Sequence, residues 1–382
     1  MKEVMRIMVD TVKLLLNMND PLVFDGSRFE PTSLEQLVNS SKYGKTALNP
    51  SKTYLKMGKS MPRLTMFKRP SRSGPVYQLA IEFSAPKLLF GNNFDELEDA
   101  DFEALLNILQ ERLLELTGHR FFRRQLAMAE VGSWHPSKNI VFLDYTSCQT
   151  ILNTIGKLDI SRVYDFQRTD FRDGHVVHIH CNSLDIAFYD KLADLRKAKI
   201  SDKRTVEKDN TLQLNLLKPL EETAAIEIFR YEVRLVGKRS VKHAFPHLEK
   251  WTFEDLFKSS LNRDLLIKHW GNISASIDML SLDVKKPKEL LQNYLIDNPD
   301  IPPQAALAAV AGLQIIGQEG VLNLRNLLEA RYGKQAWYRL KHLFNMPQAH
   351  RFTHFQHIDE SLKRFAPTHM SEYIKLVENT VK

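Results

Sequence analysis

Residues 175–191 read HVVHIHCNSLDIAFYDK and bring a His-x-His pair, a tyrosine and a lysine onto one short ribbon. Asn182-Ser183 lies between two runs rich in Val, Ile and Phe, a two-residue hairpin signal weaker than Asn-Gly. That turn pairs His180 with Asp185, His178 with Ala187 and Val176 with Tyr189. Side chains alternate along a strand, so His178, His180, Asp185, Tyr189 and Lys191 are expected on one face. Val177, Ile179, Ile186 and Phe188 then form the core side. Two imidazoles at i and i+2 can hold a divalent cation, which polarises a phosphoryl oxygen and offsets transition-state charge. A neighbouring tyrosine can attack phosphorus and form a covalent link, and a lysine beside the phenol favours phenolate. The same residue types also occur as polar strand surface and as packing, so the hairpin alone leaves both readings open.

The elements that must carry this ribbon alternate through residues 1–245. MKEVMRIMVDTVKLLL carries charges inside its apolar run and reads as a first strand rather than a signal peptide. Val76–Ser84 alternates as a strand, with Leu79, Ile81 and Phe83 on one side. Phe102, Leu105, Leu106, Leu109, Leu113 and Leu116 recur at helical spacing within 99–117. Leu126–Ser133 and HPSKNIVFLDY read as strands, Thr146–Leu158 as a helix, and the charged stretch Leu192–Asn210 as an exposed helix or lid. Ala225–Val236 is a strand with Phe229, Tyr231, Val233 and Leu235 on one face and Arg230, Glu232 and Arg234 on the other. The pattern predicts an α+β domain on a largely antiparallel sheet flanked by helices.

From Trp251 the periodicity is helical, which predicts an all-helical region over 250–382. Within it, a helix ending at Tyr332-Gly333 precedes one over Lys334–Phe344 that carries Lys334, Arg339, Lys341 and His342. This spacing suits a helix-turn-helix reader of duplex DNA and suits plain bundle packing equally.

At 382 residues, 43% hydrophobic and 26% charged, the composition is that of a soluble globular protein. The net charge of +7 is compatible with a polyanionic partner. The two cysteines, Cys148 and Cys181, form no CxxC pair and suit a reducing compartment, so the chain is expected in the cytoplasm. The longest weakly polar stretch, 305–316, is too short to span a bilayer, and no membrane partner is expected. From Lys42 to Arg72 there are nine Lys or Arg and no Asp or Glu, with Tyr43, Tyr54 and Phe67 interleaved. Lys52, Lys56, Lys59, Arg63, Lys68, Arg69 and Arg72 are therefore candidate contacts to single-stranded DNA, where cations track phosphates and rings stack on bases. A solvated loop has the same composition.

Several stretches taken in order resemble a known family. They are MVDTVKL, IEFSAPKLLFGNN, WHPSKNIVFLDYTS, HIHCNSLDIAFYDKLADLRKAKISDKRTVEKDN and FRYEVRL. Together they resemble the gene-II/X-type replication proteins of filamentous phages and related plasmids, well over residue 7 to about 240 and loosely in the helical tail. The resemblance implies a nickase/relaxase-like fold and rolling-circle initiation: one strand of an origin is nicked, the 5′ phosphate is held on a tyrosine, and the ends are rejoined. It implies Tyr189 as nucleophile with Lys191 beside it, and His178 and His180 as metal ligands. His135 and Lys138 fall in a matching stretch, as a candidate ligand and a candidate DNA contact. Glu232, flanked by Arg230 and Arg234, is expected either to supply a carboxylate or to organise the site, and Glu82 is the expected carboxylate ligand, with Glu130 a weaker choice. The cation is expected to be Mg²⁺ or Mn²⁺. The partners are origin DNA, single-stranded and duplex, with a host helicase and polymerase. Many nickases with a His-hydrophobic-His pair carry the tyrosine well downstream on a helix, whereas Tyr189 follows His180 by nine positions. Tyr231 is the alternative nucleophile, but its parity groups it with Phe229 and Val233 and predicts burial. Two other classes fit the same residues: a non-catalytic DNA-binding regulator and a metal-dependent hydrolytic nuclease.

Overall fold

The structure is a computed structural model. It describes residues 8–18, 25–51, 59–72, 74–143, 146–158, 166–172, 175–181, 184–194, 226–275, 287–344 and 353–373. Nine strands build one sheet: β1 (Val9–Met18), β2 (Gly44–Leu48), β3 (Arg63–Ser71), β4 (Gly74–Ser84), β5 (Glu130–Phe142), β6 (Phe166–Arg172), β7 (Val176–Cys181), β8 (Leu184–Asp190) and β9 (Glu227–Val236). Their order is β2-β3-β4-β1-β5-β9-β8-β7-β6, and every neighbouring pair is antiparallel. The expected α+β class with an antiparallel sheet is what the chain adopts.

The sheet has an apolar and a polar face because its strands alternate. Val12, Leu14 and Leu16 of β1 point to the same side as Leu79, Ile81 and Phe83 of β4, Trp134 of β5, and Tyr231, Val233 and Leu235 of β9; all are buried. Helices cover that side. The helices used below are α1 (Leu34–Asn39), α2 (Ala85–Phe90), α3 (Phe102–Thr117), α4 (Arg123–Ala127), α5 (Cys148–Gly156), α6 (Lys238–Ala244), α7 (Phe253–Leu256) and α8 (Ser259–Ser274). They are followed by α9 (Pro287–Asp297), α10 (Pro303–Glu319), α11 (Val321–Tyr332), α12 (Lys334–Leu340) and α13 (Thr353–Arg364).

Helix α3 buries the predicted stripe of Leu105, Leu106, Leu109, Leu113 and Leu116. Its entry is fixed where Glu98 N–H donates to the Asp101 carboxylate at 2.7 Å. It stops at Gly118, whose φ of 71° is the left-handed cap that costs glycine least.

Side chains on both sides of residues 245–250 share one hydrophobic core. Trp134 Nε1 donates to Asn262 Oδ1 of α8 at 2.7 Å, and the Tyr231 hydroxyl donates to Leu266 O at 3.1 Å. Phe188 stacks on Tyr231 with ring centres 4.9 Å apart, and Trp270 tilts against Tyr231 at 6.1 Å. Such pairs add about 1 kcal/mol each beyond area burial. The helices after Phe253 thus cover the sheet that carries the hairpin.

The polar face is roofed at one end by two short segments. Glu96 accepts from Lys138 Nζ at 2.6 Å, Asn139 N at 2.6 Å and Thr368 N at 2.9 Å. Phe94, Val141, Leu192, Ile226, Ile228 and Met370 form a small apolar cluster beside this node. The stretch around Thr368 therefore returns to the polar face and closes over β5 and β9.

Candidate active site on the polar sheet face

The hairpin forms in the expected register: His180 faces Asp185, His178 faces Ala187 and Val176 faces Tyr189. The turn residues Asn182 and Ser183 lie outside the described residues. On the other side of β8, Asp185 faces Arg234, Ala187 faces Glu232 and Tyr189 faces Arg230. Ala187, with no side chain beyond Cβ, is therefore the floor of a small well. His178 and Glu232 flank it on the two neighbouring strands, and Asp185 and Tyr189 lie two residues to either side. Tyr189 is diagonal to His178, about 7 Å away between backbone positions.

Ligand atoms of His178, His180 and Asp185 lie within 4.8 Å of one another. His180 Nδ1 is 3.2 Å from Asp185 Oδ1, and His178 Nε2 is 4.0 Å from Asp185 Oδ2. The two imidazoles lie against each other with ring centres 3.9 Å apart. All three side chains are partly exposed, so a cation from solvent can reach them. Burial first, then Arg234 and His180, push His178 down to about 4, so its lone pair is unprotonated near neutrality. Two imidazoles and a carboxylate suit Mn²⁺ better than Mg²⁺, which prefers an all-oxygen shell.

The rest of the well is a buried charge network. Arg234 donates to Glu232 at 2.8 Å and points a second nitrogen at His178 Nε2, 3.5 Å away. Burial works against an ionised Glu232, but Arg234 and Arg230 outweigh it and hold the carboxyl below its usual range. Arg230, 1% exposed, donates to Asn93 O, Asn139 Oδ1 and Ser137 Oγ at 2.9–3.0 Å and pairs with Asp10 at 3.0 Å. Against burial, Arg230, Lys191 and the Ser84 hydroxyl hold Asp10 at about 2. Burial pushes the Tyr189 phenol well above its ordinary value, with Arg230 opposing. Burial, then Arg230, bring the Lys191 ammonium down to about 7. That ammonium lies 5.8 Å from the Tyr189 ring centre and 5.5 Å from that of Phe94. A phenol that holds its proton thus sits beside an amine able to accept one at neutral pH.

Several expected residues lie elsewhere. Glu82 is on β4, five strands from β7, which at about 4.8 Å per strand is roughly 24 Å away. It pairs with Lys13 at 2.6 Å, so Asp185 and not Glu82 is the carboxylate beside the histidines. His135 is on β5, three strands from β7; it contacts Ser133 Oγ at 3.0 Å and Glu232 at 3.7 Å, and does not join the histidine pair. Glu130 holds Lys238 and Lys242 of α6. Tyr231 is fully buried, as its parity predicts, with its hydroxyl bound to a helix carbonyl.

The cations divide by strand parity. Lys68 and Lys138 are buried and are corrected from DNA contacts to structural residues. Lys68 Nζ donates to the carbonyls of Leu37, Val38 and Ser40 at 3.3, 3.0 and 2.5 Å, closing the C-terminal end of α1. Lys138 is held by Glu96 and Thr368. Arg63 faces Glu82 across the strands and therefore lies on the polar face; Phe67 and Arg69, four and six residues on, share its parity. Arg69 lies 5.0 Å from the Phe67 ring centre. Arg63, Arg69, Arg72 and Lys59 are exposed, with Lys59 3.3 Å from Glu115. Lys52, Lys56 and Tyr54, and the lid expected beyond residue 194, lie outside the described residues. In the helical region Lys334 and Arg339 are exposed, and Lys341 lies over the Tyr338 ring at 5.1 Å.

Three residues of this cluster lie outside the expected site set. Asp185 was legible from the hairpin register, since it faces His180. Arg230 was legible only as a member of the polar face. Asp10 carried no signal, because a β1 irregularity between Val9 and Val12 decides where it points. No family model, no curated protein and no solved structure matches this chain.

Proposed function

We propose that this protein nicks one DNA strand through a covalent 5′-phosphotyrosine and rejoins it, as a rolling-circle replication initiator of the nickase/relaxase kind. The observation that carries the reading is the clustering of His178, His180 and Asp185 with Tyr189 diagonal to them and Lys191 at its ring. His178, His180 and Asp185 would hold Mn²⁺ or Mg²⁺, which would supply Lewis-acid polarisation of the scissile phosphate. Lys191 takes the phenol proton as Tyr189 Oη attacks phosphorus. The bond from phosphorus to the 3′ oxygen breaks, and that oxygen leaves with a proton from solvent as a free 3′-OH. Arg234, beside His178, is placed to meet a phosphate oxygen. The retained phosphoester lets the 3′-OH attack in reverse and reseal without ATP. Arg63, Phe67 and Arg69 extend the polar face for an unpaired strand, and Lys334, Arg339 and Lys341 serve duplex origin DNA.

Tyr189 is half-buried and burial raises its phenol, which favours a second reading, metal-dependent hydrolysis, in which water attacks and the phenol stays protonated. One assay separates the two. The protein and its Tyr189→Phe variant are mixed with origin DNA, single-stranded and supercoiled, with Mn²⁺ or with chelator, and resolved on a denaturing gel. A metal-dependent protein–DNA band lost in the Phe variant is expected. Cleavage without an adduct assigns hydrolysis, and binding with neither assigns a regulator.

A further inference from the structure

Behind the strand that carries Tyr189, on the helix-covered side of the sheet, lies a second group of ligating residues. Cys148 opens α5, Asp190 ends β8 and Glu227 opens β9, and one donor atom of each lies within 4.8 Å of the others. Register explains the meeting. Asp190 faces Phe229, and Glu227 lies two residues before Phe229, so both carboxylates point to the same side. A fourth candidate follows from the same ladder. Asp190 N donates to His175 O at 3.1 Å, one step beyond the Val176–Tyr189 pair, so His175 and Asp190 face each other. Facing residues project to the same side with Cβ atoms about 5 Å apart. His175 Nδ1 is buried and has no hydrogen-bond partner among the described residues.

We propose that Cys148, Asp190 and Glu227 form a structural Zn²⁺ site, with His175, which stands just outside their 4.8 Å group, turning in as fourth ligand. Thiolate, imidazole and carboxylate are the donor types of four-coordinate zinc. The hydrogen bonds already made leave room for it. Asp190 Oδ1 accepts from Ala193 N at 2.9 Å and Glu227 Oε2 from Cys148 N at 3.3 Å, and a carboxylate with about four lone-pair sites keeps acceptor capacity beyond such bonds. A metal would also supply the positive charge this crowd of acids lacks. Burial, then Asp190 and Glu227, push the thiol up, and burial with Glu227 pushes Asp190 up. Binding displaces the thiol proton to solvent and forms the zinc–sulfur bond, with no redox change. The ion would staple α5 to the ends of β8 and β9. It would thereby fix the Asp190 peptide between Tyr189 and Lys191. The site is chemically separate from the histidine pair, which has no thiolate, and it stands whether or not Tyr189 is a nucleophile.

The test is a Co²⁺ titration of the full-length, chelator-stripped protein, read by the near-ultraviolet thiolate-to-cobalt charge-transfer absorption. One equivalent should produce the band and Zn²⁺ should bleach it. The band should vanish in Cys148→Ser and persist in Cys181→Ser and in His178→Ala. No band in the wild type, or a band that survives Cys148→Ser, overturns the site. If Cys148→Ser fails to fold, X-ray absorption of the zinc-loaded wild type decides. A sulfur neighbour at about 2.3 Å supports the site, and a shell of nitrogen and oxygen alone overturns it.

Discussion

Glu96→Gln should destabilise the protein sharply, through a partner that sequence reasoning had assigned to DNA. Glu96 is 5% exposed and accepts three hydrogen bonds, one from the Lys138 ammonium and two from backbone N–H groups. The amide keeps one acceptor oxygen and turns an NH₂ toward a donor. Lys138, 2% exposed, then loses its carboxylate. Breaking a buried pair from one side costs about 3–5 kcal/mol, because the surviving charge stays buried. Lys138→Met removes that stranded charge, so the double variant should lose much less than the sum of the two single losses. The assay is urea unfolding of the four proteins of the cycle, giving a coupling energy above about 2 kcal/mol. A coupling below about 0.5 kcal/mol would refute the view that this pair is buried and mutually dependent. DNA binding by folded Lys138→Met should keep the wild-type salt slope, since no phosphate contact is removed.

Three further outcomes are expected. Gly312→Ala should lose about 1–2 kcal/mol in thermal or urea unfolding, since the new Cβ would run into the Phe344 ring and overpacking outweighs the helix-propensity gain. Acid should weaken the fold through His269: burial, then Lys268, hold it at about 4 against 6.5 in the unfolded chain. The unfolded state therefore binds the proton first, and stability present above pH 6.5 falls by about 3 kcal/mol on reaching pH 4. His269→Leu should flatten that loss, and an unchanged acid profile would remove His269 as its cause. Asp185→Asn should weaken Mn²⁺ binding at least about tenfold by calorimetry, about 1.4 kcal/mol, whereas Glu82→Gln should leave it unchanged.

Alternation carried most of the legible information. The register of the hairpin followed from Asn182-Ser183 and the apolar side chains, and with it the shared face of His178, His180, Asp185 and Tyr189. The parity of β9 sent Tyr231 to the apolar face and Glu232 to the polar face, as found, and both are buried. Strand order is set by long-range pairing and left no local trace. Glu82 and His135 therefore had the right parity and the wrong neighbours. Basic composition failed at Lys68 and Lys138 for a related reason: a charge count does not reveal which cations are drawn inward by carbonyls or a carboxylate. Asp10 depended on a strand irregularity that no residue type announced.

The return of the chain at Thr368 to Glu96 and Lys138 has a consequence for the order of assembly. Thr368 is separated from Lys138 by 230 positions and from Glu96 by 272. During synthesis the strands bearing Tyr189 and the histidines emerge long before the residue that completes their roof. Until then Glu96 lacks one of its donors and the apolar cluster around Phe94 lacks Met370. A nascent chain thus carries Tyr189 and the histidines in an unfinished setting, and the helical region serves as the late component that commits the sheet to its final form.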